Sequence, residues 1–273
     1  MILYSRTRRA FTLIELLVTI SIVGVLASMA FAAAQGVTGR TRKVREVAAA
    51  KNLVAGFIST PADYNGHYLL GYDSTGPTVT MPGGKVIGGE AAYRYPYRLA
   101  SYFDWQLKDT IIVNTSSPQF TGAGSEYAIS LSPALGMNVS LVGGELRDAS
   151  AGPSFPGECL TMPNSTSAAL IAFASAGFDN GSTRTPGYFK VSAPKLGGAT
   201  WSTAAWTAKS KVADYGQVDA RYGGEAVCAF TDGSVRTLTV AALRDMRLWS
   251  RVAADKNDPN YTPVNTTTSD TGM

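Results

Sequence analysis

The sequence is poor in the side chains on which most catalytic and metal sites depend. Its 273 residues include one histidine, His67, and two cysteines, Cys159 and Cys228. It holds no G-x-S-x-G, H-E-x-x-H or phosphate-binding glycine motif, and we expect His67 on a surface loop. These absences predict that the chain is not an enzyme and has no resident cofactor. Paired carboxylates leave little trace in a sequence, so a glycoside hydrolase stays open as an alternative.

Charged side chains are also scarce and unevenly placed. Residues 1–51 carry eight of the 24 cations and two of the 20 acids, so the remaining sixteen cations and eighteen acids give a net charge of −2. A nucleic-acid-binding domain needs a basic patch on its folded surface, and this balance predicts none. The basic cluster from Arg40 to Arg45 fits either a contact with anionic lipid headgroups or an ordinary solvated flank.

One long apolar run lies near the start of the chain, from Ala10 to Ala34. Its 25 residues would extend roughly 37 Å as a helix, which is long enough to span a bilayer. Glu15 is the single charge within it. A carboxylate in hydrocarbon is costly and indicates a function and a positively charged partner. The alternative is that Glu15 only favours the first helical turn and reaches the headgroups.

The residues from Ala10 to Leu17, AFTLIELL, resemble the processing site of type IV prepilins and type II secretion pseudopilins. The resemblance implies that a prepilin peptidase removes leader 1–10 by cutting between Ala10 and Phe11, and that the new amino terminus is methylated. The chain has Ala10 where the family usually has glycine. The apolar helix stays attached to the mature protein in these families.

The same resemblance implies a role for Glu15 in filament assembly. Cleavage leaves an ammonium group on Phe11, and a carboxylate one helical turn further on can pair with the ammonium of a neighbouring subunit. The implied partners are other pilin-like subunits and an inner-membrane assembly platform. The implied location is a single pass through the bacterial inner membrane, with the leader in the cytoplasm and the head in the periplasm or at the cell surface.

The apolar pattern continues beyond the membrane segment and predicts one helix from Phe11 to about Ile58, with Pro61 ending it. The glycines Gly36 and Gly39 make a hinge possible. The predicted domains are the leader 1–10, the helix 11–58 with its membrane span 11–34, and an exported head 59–273 with a mobile tail. The apolar stripe expected to face the head consists of Val37, Val44, Val47, Val54 and Ile58.

The rest of the chain predicts a loop-rich, mainly antiparallel β head, so the fold class is α+β. Asp232-Gly233 lies between two of the strands and predicts a hairpin, because such turns favour positive φ. A short helix is expected at Val240–Leu248. The candidate strands are Ala128–Leu131, Ala168–Ala174, Tyr188–Val191, Ala226–Phe230 and Val235–Val240.

The segment from Arg221 to Val235 resembles the closing segment of large pilin-like proteins of planctomycetes and verrucomicrobia. Their signature is a histidine, nine residues, and then Asp-Gly. Here Tyr222 stands at the histidine position and Asp232-Gly233 completes the spacing.

Two further features of the head concern disulfide and metal chemistry. An exported domain meets oxidising conditions, so Cys159 and Cys228 either form a disulfide or remain buried thiols. Some pseudopilins bind calcium in a C-terminal loop, and Asp179–Gly181 and Asp255–Asp258 carry oxygen ligands without an EF-hand spacing. We expect these two runs to be solvated loops.

Together these observations predict a structural subunit, a pseudopilin or minor pilin-like protein, of a type II secretion or type IV pilus-like filament. The alternative is a membrane-anchored envelope protein that binds or hydrolyses carbohydrate.

Overall fold

A computed structural model describes residues 12–113, 120, 124–147, 154–181 and 183–265, with the side chains of 30 and 32–37 left out. The described helices are α1 (Leu13–Ser59), α2 (Glu90–Tyr93), α3 (Tyr95–Leu99), α4 (Ser125–Leu131), α5 (Val240–Leu243) and α6 (Arg251–Asp255). The described strands are β1 (Tyr72–Asp73), β2 (Val79–Thr80), β3 (Val86–Ile87), β4 (Leu135–Met137), β5 (Glu145–Leu146), β6 (Ile171–Ser175), β7 (Gly177–Asn180), β8 (Thr183–Pro186), β9 (Lys195–Leu196), β10 (Ala199–Thr200), β11 (Glu225–Phe230) and β12 (Val235–Thr239).

The predicted amino-terminal helix is present as α1, which has 47 residues and includes Gly36 and Gly39. It ends at Ser59, where Thr60–Ala62 forms a turn of 3-10 helix with Pro61 in its first turn. A proline at that place disfavours the α conformation in the residue before it. Within the described part of the chain, no helical stretch has both the length and the hydropathy of a membrane crossing. The membrane span 11–34 therefore stays a prediction.

The chain forms two compact units, an amino-terminal unit that ends at Arg42 and a head unit that begins at Lys43. The carboxyl-terminal part of α1 belongs to the head unit and contributes core side chains to it. The processing pair Ala10 and Phe11 lies outside the described residues. The predicted boundaries at 10 and 58 stay predictions.

The stripe predicted to bury α1 is wrong in part. Val44 is 67% exposed and Ile58 is 38% exposed, so both lie away from the core. Val37 falls among the side chains that are not described. Val54 is buried and Val47 packs against the core, as predicted. The buried face also contains Glu46, Ala49, Ala50, Leu53 and Phe57. This face is hard to recognise in the sequence, because alanines contribute little to an apolar pattern and the first residue of the face, Glu46, is charged.

A four-stranded antiparallel sheet forms the centre of the head unit, in the order β12-β11-β6-β4. The described residues also form four two-stranded pairs, of which β1 with β5 is parallel and the others are antiparallel. The α+β class predicted from the sequence is confirmed. The predicted hairpin is also present, with Gly233 at φ +79° and Asp232 Oδ1 accepting the Ser234 N–H at 2.9 Å.

Both faces of the sheet are covered, which explains the continuous apolar sequence of β11. Side chains alternate along a strand, so Val227 and Ala229 face one cluster while Cys228 and Phe230 face another. The first cluster contains Phe57 of α1, whose ring stacks on Tyr68 at 4.6 Å and meets Phe173 edge-on at 5.5 Å. The second contains Trp201, Tyr215 and Trp249.

Three local predictions need correction. Ala128–Leu131 lies in helix α4, where a short apolar run buries Ile129 and Ser130, rather than in a strand. Tyr188–Val191 forms one isolated bridge through Lys190 instead of a strand. The helix expected at Val240–Leu248 is divided into α5 and a 3-10 turn at Met246–Leu248.

Candidate assembly site

The first turn of α1 is closed by a reciprocal pair of hydrogen bonds between Thr12 and Glu15. Glu15 Oε2 accepts the Thr12 backbone N–H at 2.9 Å and the Thr12 hydroxyl at 3.0 Å, and the Glu15 N–H donates to Thr12 Oγ1 at 3.3 Å. This is a capping box, in which an N-cap hydroxyl and a carboxylate three residues later satisfy each other's backbone donors. The T-x-x-E spacing is the sequence signature of such a box, and Thr12 was not among the predicted site residues.

The capping box uses one carboxylate oxygen of Glu15. Within the described residues, Oε1 of Glu15 has no hydrogen-bond partner, and the side chain is exposed. The implied ammonium partner on Phe11 lies outside the described residues. Capping and an ion pair with a neighbouring subunit are therefore compatible, because they would use different oxygens.

Large apolar side chains of the amino-terminal unit are open on this single chain. Leu13 is 80% exposed and Phe31 is 69% exposed, and the leucines, isoleucines and valines described between them are also exposed. A folded chain rarely leaves so much contiguous apolar surface in water. Such a surface is typical of a segment that contacts a membrane or another protein.

A second cluster of polar side chains lies in the head unit, around a carboxylate that was not among the predicted site residues. Glu46 is 1% exposed and shares the buried face of α1 with Ala50 and Leu53. Its Oε2 accepts the Tyr222 hydroxyl at 2.6 Å, and its Oε1 accepts the hydroxyl of Ser175. A buried polar group needs such hydrogen-bond partners to offset its loss of solvation. Its position four residues before Ala50 and seven before Leu53 is the available sequence signal.

The positive partner of Glu46 is Arg221, in the loop before β11. Arg221 Nη2 lies 3.5 Å from Glu46 Oε1 and donates to the backbone oxygens of Ala134 at 2.8 Å and Ala176 at 3.0 Å. Burial opposes the charge on Arg221, but Glu46 and Asp219 outweigh that effect and raise the pKa of the guanidinium. Arg221 therefore stays charged and connects α1 to two loops at the edge of the sheet.

Asp219 extends this network to the surface. Its Oδ2 lies 3.8 Å from Arg221 Nε, and its Oδ1 lies 3.2 Å from Arg184 Nη1. Burial raises the pKa of the Asp219 carboxyl above its usual value, although Arg221 and Arg184 both act in the opposite direction. We call Glu46, Ser175, Arg184, Asp219, Arg221 and Tyr222 the anchor network.

Tyr222 gives the closing segment a concrete role in this chain. It stands at the histidine position of the signature described above, and its hydroxyl donates to Glu46 of α1. The Asp232-Gly233 end of the same segment forms the β11–β12 turn. The segment therefore joins the central hairpin to the helix.

The two cysteines are free and buried, so the disulfide offered as one possibility is not formed. Cys228 projects from β11 into the second cluster, whereas Cys159 lies in a loop beside Gly144. Burial raises the pKa of the Cys159 thiol to about 12 and that of Cys228 further, so both stay protonated.

Within the described residues, no three acidic, histidine or cysteine side chains come together as a metal site. Asp179 Oδ2 accepts the Ala213 N–H at 3.0 Å, and Asn257 Oδ1 accepts from Arg247 at 2.6 Å. The two oxygen-rich runs are thus engaged with the protein itself. Calcium binding, the alternative to solvated loops at these two runs, is not tested by these contacts.

Comparison with known families identifies the amino-terminal feature. Residues 5–31 match the prokaryotic N-terminal methylation motif. This match is consistent with a pilin-like or pseudopilin family and covers the second half of the leader, the processing pair, Glu15 and most of the apolar run. No curated protein and no solved structure matches the chain.

Proposed function

We propose that this protein is a structural subunit, a pseudopilin or minor pilin-like protein, of a type II secretion or type IV pilus-like filament. The observation that carries the proposal is the methylation motif at residues 5–31, placed directly on a helix whose apolar side chains are exposed. Such a motif implies processing by a prepilin peptidase between Ala10 and Phe11. It also implies assembly with other pilin-like subunits.

The physical step in the proposal is the transfer of one helix from lipid to protein. Before assembly, residues 11–34 lie in the bacterial inner membrane, with the head unit on the outer side. In the filament, the apolar side chains from Leu13 to Phe31 pack against the same segment of neighbouring copies. This transfer leaves the apolar surface covered in both states, so it costs little hydrophobic free energy.

Glu15 selects the register of each added subunit. Its Oε1, which has no partner among the described residues, accepts a hydrogen bond from the methylated ammonium of Phe11 of a neighbour. A misplaced subunit would leave both charges unpaired at low dielectric. The anchor network has a complementary task. It holds the carboxyl-terminal part of α1 on the sheet, so that a force applied to the helix is transmitted to the head unit.

Two substitutions separate assembly from helix capping. Glu15→Gln keeps a side chain that can complete a capping box but removes its charge. Thr12→Ala removes the cap and keeps the charge. We expect Glu15→Gln to abolish incorporation into filaments and Thr12→Ala to retain it, with both variants inserted in the membrane at wild-type levels.

The measurement is the fraction of each variant found in sheared or purified filaments from cells that express it. If both variants lose incorporation into filaments equally, Glu15 acts only as a helix-capping residue. Normal incorporation of Glu15→Gln would refute its role in register. A protein that is never found in filaments, in any variant, would contradict the proposed function itself.

A further inference from the structure

A cavity in the head unit combines the single histidine of the chain with a half-buried arginine, Arg98. Its volume is about 310 Å³, and it lies between the loop that follows α1 and helix α3. This volume is at the small end of the range for ligand pockets. The side chains that matter for its chemistry are Tyr64, His67, Tyr68, Asp73, Arg98 and Thr161.

Arg98 is held in place by hydrogen bonds from one nitrogen, Nη2. Its Nη2 donates to the backbone oxygens of Leu70 at 2.6 Å and Tyr93 at 2.8 Å. Its Nε is buried and has no hydrogen-bond partner among the described residues. The guanidinium is therefore fixed in orientation while part of its donor capacity is unused.

Arg98 also lacks an ion-pair partner in the described part of the chain, unlike Arg94 and Arg221. Arg94 pairs with Glu90 at 2.6 Å, and Arg221 pairs with Glu46 at 3.5 Å. Burial lowers the pKa of Arg98 to about 10, although nearby Asp73 acts in the opposite direction. Arg98 is half-buried and its Nε has no acceptor among the described residues, so an acceptor inside this cavity would offset the cost of partly desolvating the guanidinium.

Asp73 also lines the cavity, but its carboxylate accepts hydrogen bonds from Thr75. Its Oδ1 accepts the Thr75 backbone N–H at 3.0 Å and the Thr75 hydroxyl at 2.7 Å. It therefore limits the charge of any anion that enters, because a dianion would be repelled by this carboxylate. One guanidinium and one nearby carboxylate favour a monoanion. The rings of Tyr64 and Tyr68 favour an organic body over an inorganic ion.

We propose that this cavity binds a compact organic monocarboxylate, whose carboxylate accepts hydrogen bonds from Arg98 and whose body lies against the rings of Tyr64 and Tyr68. His67 and Thr161 supply polar groups at the wall. The site is separate from the assembly site and does not depend on the filament proposal. It gives the head unit a ligand-binding function beyond a structural one.

The probe is benzoate, with benzamide as its neutral match and inorganic phosphate as the competing anion. Binding is measured by titration calorimetry on the full-length protein in detergent micelles. We expect benzoate to bind, and benzamide to bind at least tenfold more weakly, because only the acid pairs with the guanidinium. Arg98→Gln should weaken benzoate binding by about tenfold to a hundredfold, the loss of a charge-assisted hydrogen bond. The matched control Arg236→Gln alters an exposed arginine outside the cavity and should leave binding unchanged.

Arg98 also supports two carbonyl groups, so the substitution can impair folding. Two further measurements avoid that difficulty. Magnetisation transfer from the benzoate ring to the rings of Tyr64 and Tyr68 is expected in the unmodified protein, and Tyr64→Ala, at a 42% exposed position, should weaken binding severalfold while retaining the fold.

Several results would overturn the proposal. Benzamide binding as tightly as benzoate would mean that the cavity recognises only a ring. Phosphate competing at equal concentration would identify a general anion site. If neither benzoate nor acetate binds at concentrations up to about 10 mM, the cavity is not a carboxylate site. The same conclusion follows if a folded Arg98→Gln variant binds benzoate as tightly as the wild type does.

Discussion

Replacing Glu46 with alanine should destabilise the head unit by about 3 kcal/mol. Removing one partner from a buried ion pair typically costs 3–5 kcal/mol, since the remaining charge stays buried. Arg221 keeps Asp219 at 3.8 Å and two carbonyl acceptors, which places the expected cost at the lower end. Glu46→Gln should cost about half as much, because an amide can still accept from Tyr222 but forms a weaker, neutral hydrogen bond.

Urea unfolding of the full-length protein in micelles measures this effect. Tryptophan fluorescence reports on the head unit, because Trp201 and Trp249 lie in the second cluster. At an m value of about 3 kcal/mol/M, the alanine variant should unfold at roughly 1 M less urea. Lys51→Ala, at an exposed position on the same helix, is the matched control and should stay within about 0.5 kcal/mol of wild type. A Glu46→Ala variant as stable as this control would refute the reasoning about the anchor network.

Three further outcomes are expected. Because the folded-state pKa of Asp219 is raised, the free energy of unfolding should fall as pH rises from about 4 through that pKa. Asp219→Asn should show a smaller fall over the same pH range. An equal fall in the variant and the wild type would contradict this assignment. Gly187→Ala should lower the free energy of unfolding by more than about 2 kcal/mol, measured by thermal unfolding, because φ is +103° and the added Cβ would meet a backbone oxygen. Gly66→Ala, at φ +85° in open space, should lower it by about 1 kcal/mol. Equal losses would be inconsistent with crowding at Gly187. Cys159 and Cys228 should react with iodoacetamide only after the protein is unfolded, as measured by mass spectrometry of the labelled protein. Rapid labelling of the native protein would contradict their burial.

The parts of the fold that the sequence predicted correctly depend on local signals. The hairpin of β11 and β12 follows from Asp232-Gly233 between two apolar runs, and the end of α1 follows from Pro61. Ala128–Leu131 was predicted wrongly because a short apolar run suits a buried helix as well as a strand.

The anchor network could not be predicted, because its members meet only through tertiary structure. Glu46 and Arg221 are separated by most of the chain, and no spacing rule connects them. Glu46 was the one member with a signal, as a carboxylate in register with Ala50 and Leu53. The burial of Val44 was expected from its hydrophobicity, but the helix rotates this side chain away from the core and places alanines there instead.

Mass spectrometry of the amino terminus of the mature protein tests the central proposal most directly. Processing by a prepilin peptidase should leave a chain that begins with N-methylated Phe11. A protein that still begins with Met1, or one cut beyond Ala34, would contradict the account, because neither form carries the charged end that Glu15 is proposed to bind.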